Sequence, residues 1–168
     1  MTDKDIHEQF LDMLEKHFGI LVKIAAMYAN TRDERKDLIQ DIILELWRSH
    51  KRFDGSCKPS TWIYKISLNI SMNYKRKIDN RVLLRPLDDF NGYELPSWMY
   101  EQDDVSELDV LYNSIEELSE INKAIVILYL DGNSHEEISE ITGISKTNVG
   151  TRISRIKEEL RKITHSNQ

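Results

Sequence analysis

The sequence predicts an all-α protein made of two small helical domains joined by a flexible acidic linker, the second domain a helix-turn-helix. Three observations predict it. Among 168 residues there are only three prolines and six glycines, with many Ile, Leu, Glu and Lys, a composition that favours helix over strand. Apolar residues recur at steps of three and four, the period of a helix with one buried side. The charges are segregated along the chain. From Lys58 to Arg81 six basic residues face one acid, Asp79, whereas from Pro86 to Asn122 there are eleven acids and no Lys or Arg. The net charge of −6 therefore conceals two basic modules on either side of an acidic connector. The predicted boundaries are 1–82 for the first domain, 83–107 for the linker and 108–168 for the second domain.

The first informative helix is DLIQDIILELWR, Asp37 to Arg48. Leu38, Ile39, Ile42, Ile43, Leu46 and Trp47 spread over a wide face that must be buried. Asp37, Gln40, Asp41, Leu44 and Arg48 collect on the other side. Leu44, flanked by acids, resembles the apolar anchor of a small docking surface with a charged rim; the plainer reading is a solvated stripe.

A loop, RFDGSCKPST, follows, with Asp54-Gly55 and Pro59 turning the chain and Ser60 or Thr61 available to cap the next helix. TWIYKISLNISMNYKRK comes next. As one helix it puts Ile63, Ile66, Ile70 and Tyr74 in a core stripe and Trp62, Lys65, Asn69, Asn73 and Arg76 on an adjacent face. Aromatic, amide and basic groups interleaved in this way suit unstacked bases and their phosphates. Ser67, Asn69, Ser71 and Asn73 alternate with apolar residues, and Ser and Asn compete with the helix for backbone hydrogen bonds. That alternation leaves open a second arrangement, two helices around a short loop that cups a base. Taken singly, Trp62 as core and Asn69 as a cap are the simpler accounts.

The connector, with Pro86, Asn91-Gly92 and Pro96, lacks the periodicity of a packed domain. Its charge suits either a solubilising spacer or a segment lying in a basic channel that otherwise holds nucleic acid.

In the second domain Ser134 and Glu137 form a capping box, so a helix begins near His135. Ile138 and Ile141 give it an apolar side, and Gly143 supplies the backbone that ends it. Ser145 caps the next helix, in which Val149, Ile153, Ile156 and Leu160 form one stripe. Lys146, Thr147, Asn148, Thr151 and Arg155 point away from that stripe, with Arg152 on the flank. Such groups near a helix N-terminus can read a major groove, Arg forking onto guanine and Asn onto adenine.

No apolar run reaches membrane-spanning length, and MTDKDIHEQF lacks the basic start and greasy stretch of a secretion signal. Direct membrane insertion is therefore not expected. Cys57 is the single cysteine, so no internal disulfide forms, and no Cys/His cluster suggests zinc; a cytoplasmic chain without cofactor or metal is the expectation. There is no Gly-rich phosphate loop, and the acids crowd into the connector, which argues against an enzyme.

DLIQDIILELW, then RFDGSCKPSTWIYKISLNISMNYKRK, then LSEINKAIVILYLDGNSHEEISEITGISKTNVGTRISRIKEELRK, in that order, resemble the extracytoplasmic-function (ECF) group of bacterial sigma-70 factors. The resemblance spans roughly residues 10 to 80 and 108 to 163 and leaves the connector as the variable part. It implies a non-enzymatic initiation factor whose partners are core RNA polymerase, through the β′ coiled coil and the β subunit, promoter DNA, and an anti-sigma factor. Asp37, Gln40, Asp41 and Leu44 would dock on the coiled coil. The first domain, with Trp62, Lys65, Asn69, Ser71, Asn73, Arg76 and Lys77, would melt the −10 element and capture a flipped base. Lys146, Thr147, Asn148, Thr151, Arg152 and Arg155 would read the −35 element as duplex, and the connector would thread into the polymerase channels. This sequence departs from the family at Gly150, where Lys or Arg is common, at Asn148, where Thr is common, and at His135, where an aromatic is frequent. The competing class is a conventional helix-turn-helix regulator that binds duplex DNA without polymerase.

Overall fold

The computed structural model describes residues 2–80 and 114–166, with helical side chains described up to Tyr74 in the first segment and Lys162 in the second. The predicted linker, 83–107, lies outside the described residues. Six helices are present among the described residues: α1 (Asp3–Tyr28), α2 (Arg32–His50), α3 (Pro59–Asn80), α4 (Glu120–Leu130), α5 (His135–Thr142) and α6 (Lys146–Ser166). There is no strand among the described residues, as the composition predicts.

Local chemistry sets the helix starts. α1 and α2 each open with a capping box, Thr2 with Asp5 and Thr31 with Glu34, which pairs amides that would otherwise lack partners. Pro59 opens α3, where a missing N–H and a fixed φ cost nothing. Ser119 accepts from the Asn122 amide at the start of α4, and Ser134 from the Glu137 amide at the start of α5.

α1, α2 and α3 pack against one another. Phe10, Leu14, Phe18, Leu21, Ile24 and Tyr28 run down α1 as one buried stripe, and Leu38, Ile42 and Leu46 of α2 and Ile63 of α3 complete the core. One end is closed by edge-on rings: Trp47 lies 5.2 Å from His7 and 5.1 Å from Phe10, and His50 lies 5.3 Å from Phe10. Burial holds His7, His17 and His50 below the ordinary histidine value. Histidines that are harder to protonate when folded make the unfolded chain bind more protons, so stability is full above about pH 6.5 and falls as pH drops below it. The melting temperature is expected to be flat from pH 8 to about 7 and to decline toward pH 5, and His50→Phe to make that decline shallower. Thermal unfolding followed by circular dichroism across this range checks it.

The middle of α4, Lys123 to Leu128, is buried without a break, and apart from Lys123 it is apolar, as befits a stretch enclosed on every side. The helix touches α5 and α6 on one side and α1 and α3 on the other. The two halves are therefore in contact. The Tyr28 hydroxyl donates to the Glu120 carbonyl at 2.7 Å, and Lys23 Nζ lies 2.7 Å from Asp131 Oδ1. The Tyr64 hydroxyl donates to the other Asp131 oxygen. Lys123, 1% exposed, sits in this junction with Nζ 3.9 Å from Glu120 and 5.9 Å above the Tyr28 ring.

Candidate nucleic-acid and partner surfaces

In α3 the open question was one helix or two, and the structure answers it with one, unbroken from Pro59 to Asn80. The alternation in SLNISMN resolves into two pairs four residues apart on opposite sides. Ser67 and Ser71 are fully buried, whereas Asn69 is exposed and Asn73 half-buried. Small hydroxyl side chains let neighbouring helices approach closely, and the amides face out. Ser71, expected at the DNA surface, is therefore corrected to a core position, because residues two apart on a helix point about 200° apart.

Trp62, Lys65, Asn69 and Asn73 follow at steps of three, four and four and share the outward stripe, about 16 Å long at 1.5 Å per residue. Trp62 and Lys65 are half-buried. Phe53, from the preceding loop, stacks on one face of the Trp62 ring at 4.8 Å and 23°. Arg76 and Lys77 lie in α3, with side chains outside the described residues.

On α2, Asp37 is exposed and Gln40 and Asp41 are half-buried. Leu44, expected as an exposed anchor among them, is 4% exposed and belongs to the core cluster. Tyr74 of α3 comes close enough to Asp37 and Asp41 for burial first, and then the carboxylates of Glu34, Asp37 and Asp41, to push its hydroxyl pKa up. The surface left on α2 is acidic and polar, without an apolar centre.

The helix-turn-helix forms as its local signals predict. Gly143 ends α5 with φ 78°, a left-handed conformation suited to glycine. The Asn148 amide donates to Ser145 Oγ at 3.2 Å, and Val149, Ile153 and Ile156 are buried. Lys146, Thr147, Asn148, Thr151 and Arg155 are exposed on the far side, with Arg152 half-buried on the flank. Lys146 pairs with Glu136 at 3.5 Å, both being mostly exposed, which leaves its charge available since such pairs are weak. Two of the departures from the family pattern meet here: the His135 ring lies 3.6 Å from where a Cβ on Gly150 would stand.

Asn122, Arg152, Asn148, Thr151 and Arg155 line a polar cavity of about 220 Å³. Asn122, Phe53 and Asp131 escaped the sequence reading. Asn122 and Asp131 meet partners 30 or more residues away; Phe53 could have been suspected as an aromatic just ahead of Trp62.

Among the described residues no group of three His, Cys, Asp or Glu side chains could hold a metal, and no helix is long and apolar enough to cross a membrane. The sequence profile of Sigma-70 region 2 matches residues 13–81, and that of Sigma-70 region 4 matches residues 108–160. The chain belongs to the ECF group of the sigma-70 family. It is 28% identical to the ECF RNA polymerase sigma-E factor of Haemophilus influenzae, over 94% of this chain and 93% of that one. With the sigma-E factor of Escherichia coli K12 it shares 25% identity, covering 95% of this chain and 93% of the relative. Among solved structures, CnrH in complex with the cytosolic domain of CnrY has a TM-score of 0.70 at 18% identity, covering 96% of this chain and 91% of that one. The sigma factor RpoE of Bartonella quintana, in complex with the anti-sigma factor NepR, has a TM-score of 0.63 at 21% identity, covering 98% and 99%. These two show the fold. Matches in both halves set the conventional regulator aside, since a duplex reader accounts for region 4 alone.

Proposed function

We propose that this sigma factor joins core RNA polymerase, reads the −35 element as duplex with α6 and opens the −10 element along α3. In this reading residues 1–82 form the docking and melting domain, 83–107 the acidic linker and 108–168 the −35 reader. The observation that carries it is the placement of two different nucleic-acid surfaces on one chain. α6 presents Thr147, Asn148, Thr151 and Arg155 to solvent, a set suited to groove edges and phosphates. α3 presents Trp62, Lys65, Asn69 and Asn73, a stripe suited to unstacked bases.

Asp37, Gln40 and Asp41 would meet a basic helical surface of the polymerase. An anti-sigma factor is the regulatory partner, in keeping with the two structural relatives solved with a bound protein. The site of action is cytoplasmic, and the protein is not an enzyme.

Run-off transcription with purified core polymerase on genomic fragments tests this reading. Addition of the protein is expected to start transcripts at promoters that core alone ignores; a folded protein that neither binds core nor yields transcripts would overturn it. Asp37→Lys puts like charge against the proposed partner surface. It is expected to weaken core binding by about 1 kcal/mol, roughly fivefold, with the melting temperature unchanged because Asp37 is exposed.

A further inference from the structure

Arg152 differs from the other groups on the reading face. It is half-buried on the flank, and its Nη1 donates to Asn122 Oδ1 of α4 at 3.1 Å. The backbone N–H of Asn122 donates to Ser119 Oγ at 3.3 Å, which anchors the residue's backbone in the capped first turn of α4. One of the five guanidinium N–H groups of Arg152 is thus committed to Asn122, which pins the group on the flank of the reading face. Its other N–H groups border the cavity lined by Asn122, Asn148, Thr151, Arg152 and Arg155. That lining holds two guanidinium groups and two amides, with no carboxylate. Thr151 Oγ1 donates to the Thr147 carbonyl at 3.1 Å, which turns this hydroxyl inward. The positive, hydrogen-bond-donating character of the cavity matches a singly charged phosphodiester.

We infer that this cavity is a seat for one backbone phosphate of the −35 duplex and that Asn122 is the positioning residue that holds Arg152 toward it. The inference rests on the reading of α6 as the −35 helix. Arg152 then fixes register and contributes affinity without reading a base. Asn122 stands in the helix before the helix-turn-helix and acts on DNA only through Arg152.

The test uses holoenzyme, full-length protein on core polymerase, and a promoter recovered by run-off transcription. Single uncharged methylphosphonates are placed in turn across the −35 duplex. Wild type is expected to lose about tenfold in affinity at one position of the scan, and the salt slope of binding to fall by about one when Arg152 is replaced by alanine. Asn122→Ala is expected to abolish most of the methylphosphonate penalty at that position, as Arg152→Ala does, with −35 base preferences unchanged. Asn122→Asp keeps the acceptor for Arg152 but brings a negative charge to the seat. It is expected to bind less tightly than Asn122→Ala while melting at the wild-type temperature, which a merely structural asparagine would not do. A full penalty retained in Asn122→Ala, or relaxed base preference in Arg152→Ala, would overturn the inference. Wild-type holoenzyme with no promoter-specific complex at any salt would instead overturn the sigma-factor reading beneath it.

Discussion

Asp131→Ala is expected to shift the chain about tenfold toward an arrangement in which its two halves are apart, a change of about 1.4 kcal/mol. Asp131 sits at the C-terminus of α4, where the helix dipole disfavours a negative charge. Its placement is offset by what it holds. Lys23 is 45% exposed, so that ion pair contributes little. Tyr64 matters more: it is 6% exposed, and burial, followed by the Asp131 hydrogen bond and charge, raises its pKa so that the phenol stays a donor. Removing its acceptor leaves a buried hydroxyl with Asn133 as its remaining side-chain partner and its proton without an acceptor, at a cost of about 1 to 3 kcal/mol. Loss of the adverse dipole interaction returns part of that. Asp131→Asn keeps an acceptor for Tyr64 and should lose less, which separates the Tyr64 contribution from that of Lys23.

The consequence for activity is geometric. Elements named for positions 25 base pairs apart lie about 85 Å apart on a duplex rising 3.4 Å per base pair. Halves joined by the Tyr28–Glu120 and Tyr64–Asp131 hydrogen bonds do not span that distance, so promoter engagement requires them to part. Parting also releases Lys123 from its buried position, and the hydration it regains lowers the cost of opening. Asp131→Ala should therefore saturate core polymerase at lower concentration. Spin labels on Lys36 of α2 and Arg161 of α6, with Cys57 replaced, report the separation directly; a distance distribution identical to wild type would refute the latch.

How much of this was legible follows from the reach of each interaction. Ser134 with Glu137, Gly143 and Ser145 delimit the helix-turn-helix by contacts within four residues, so the sequence places them. The Val149, Ile153 and Ile156 stripe is legible for the same reason. Leu44 was misread because a helical wheel gives direction and not cover: it shows Leu44 among acids without showing that its side chain joins the core cluster. Ser71 was misread because an alternating run suits either a broken helix or one helix with two opposed pairs, and only packing decides between them. Asn122 and Asp131 were invisible, since their roles depend on Arg152, Lys23 and Tyr64, distant in sequence.

Asn69→Ala is expected to cut promoter opening by ten- to a hundredfold, a loss of about 1.4 to 2.8 kcal/mol, while binding to core and thermal stability stay at wild-type values. Asn69 is exposed in the middle of the outward stripe of α3, so its side chain contributes little to folding. Extracting a base costs a few kcal/mol, and the stripe must recover that from edge hydrogen bonds and stacking, the latter about 1 to 3 kcal/mol per base. Trp62 can supply the stacking on one side only, because Phe53 already covers the other face of its ring. The two contributions are therefore separable. Asn69→Ala removes the amide proposed to read the base edge and leaves the ring stack intact, whereas Phe53→Ala frees the Trp62 ring to tilt and should impair opening without touching the proposed edge contacts. Permanganate reactivity of thymines in the −10 region measures opening directly. Asn69→Ala complexes that form on the duplex with normal affinity yet leave these thymines unreactive would locate the capture step on this face of α3; thymine reactivity equal to wild type would move it elsewhere.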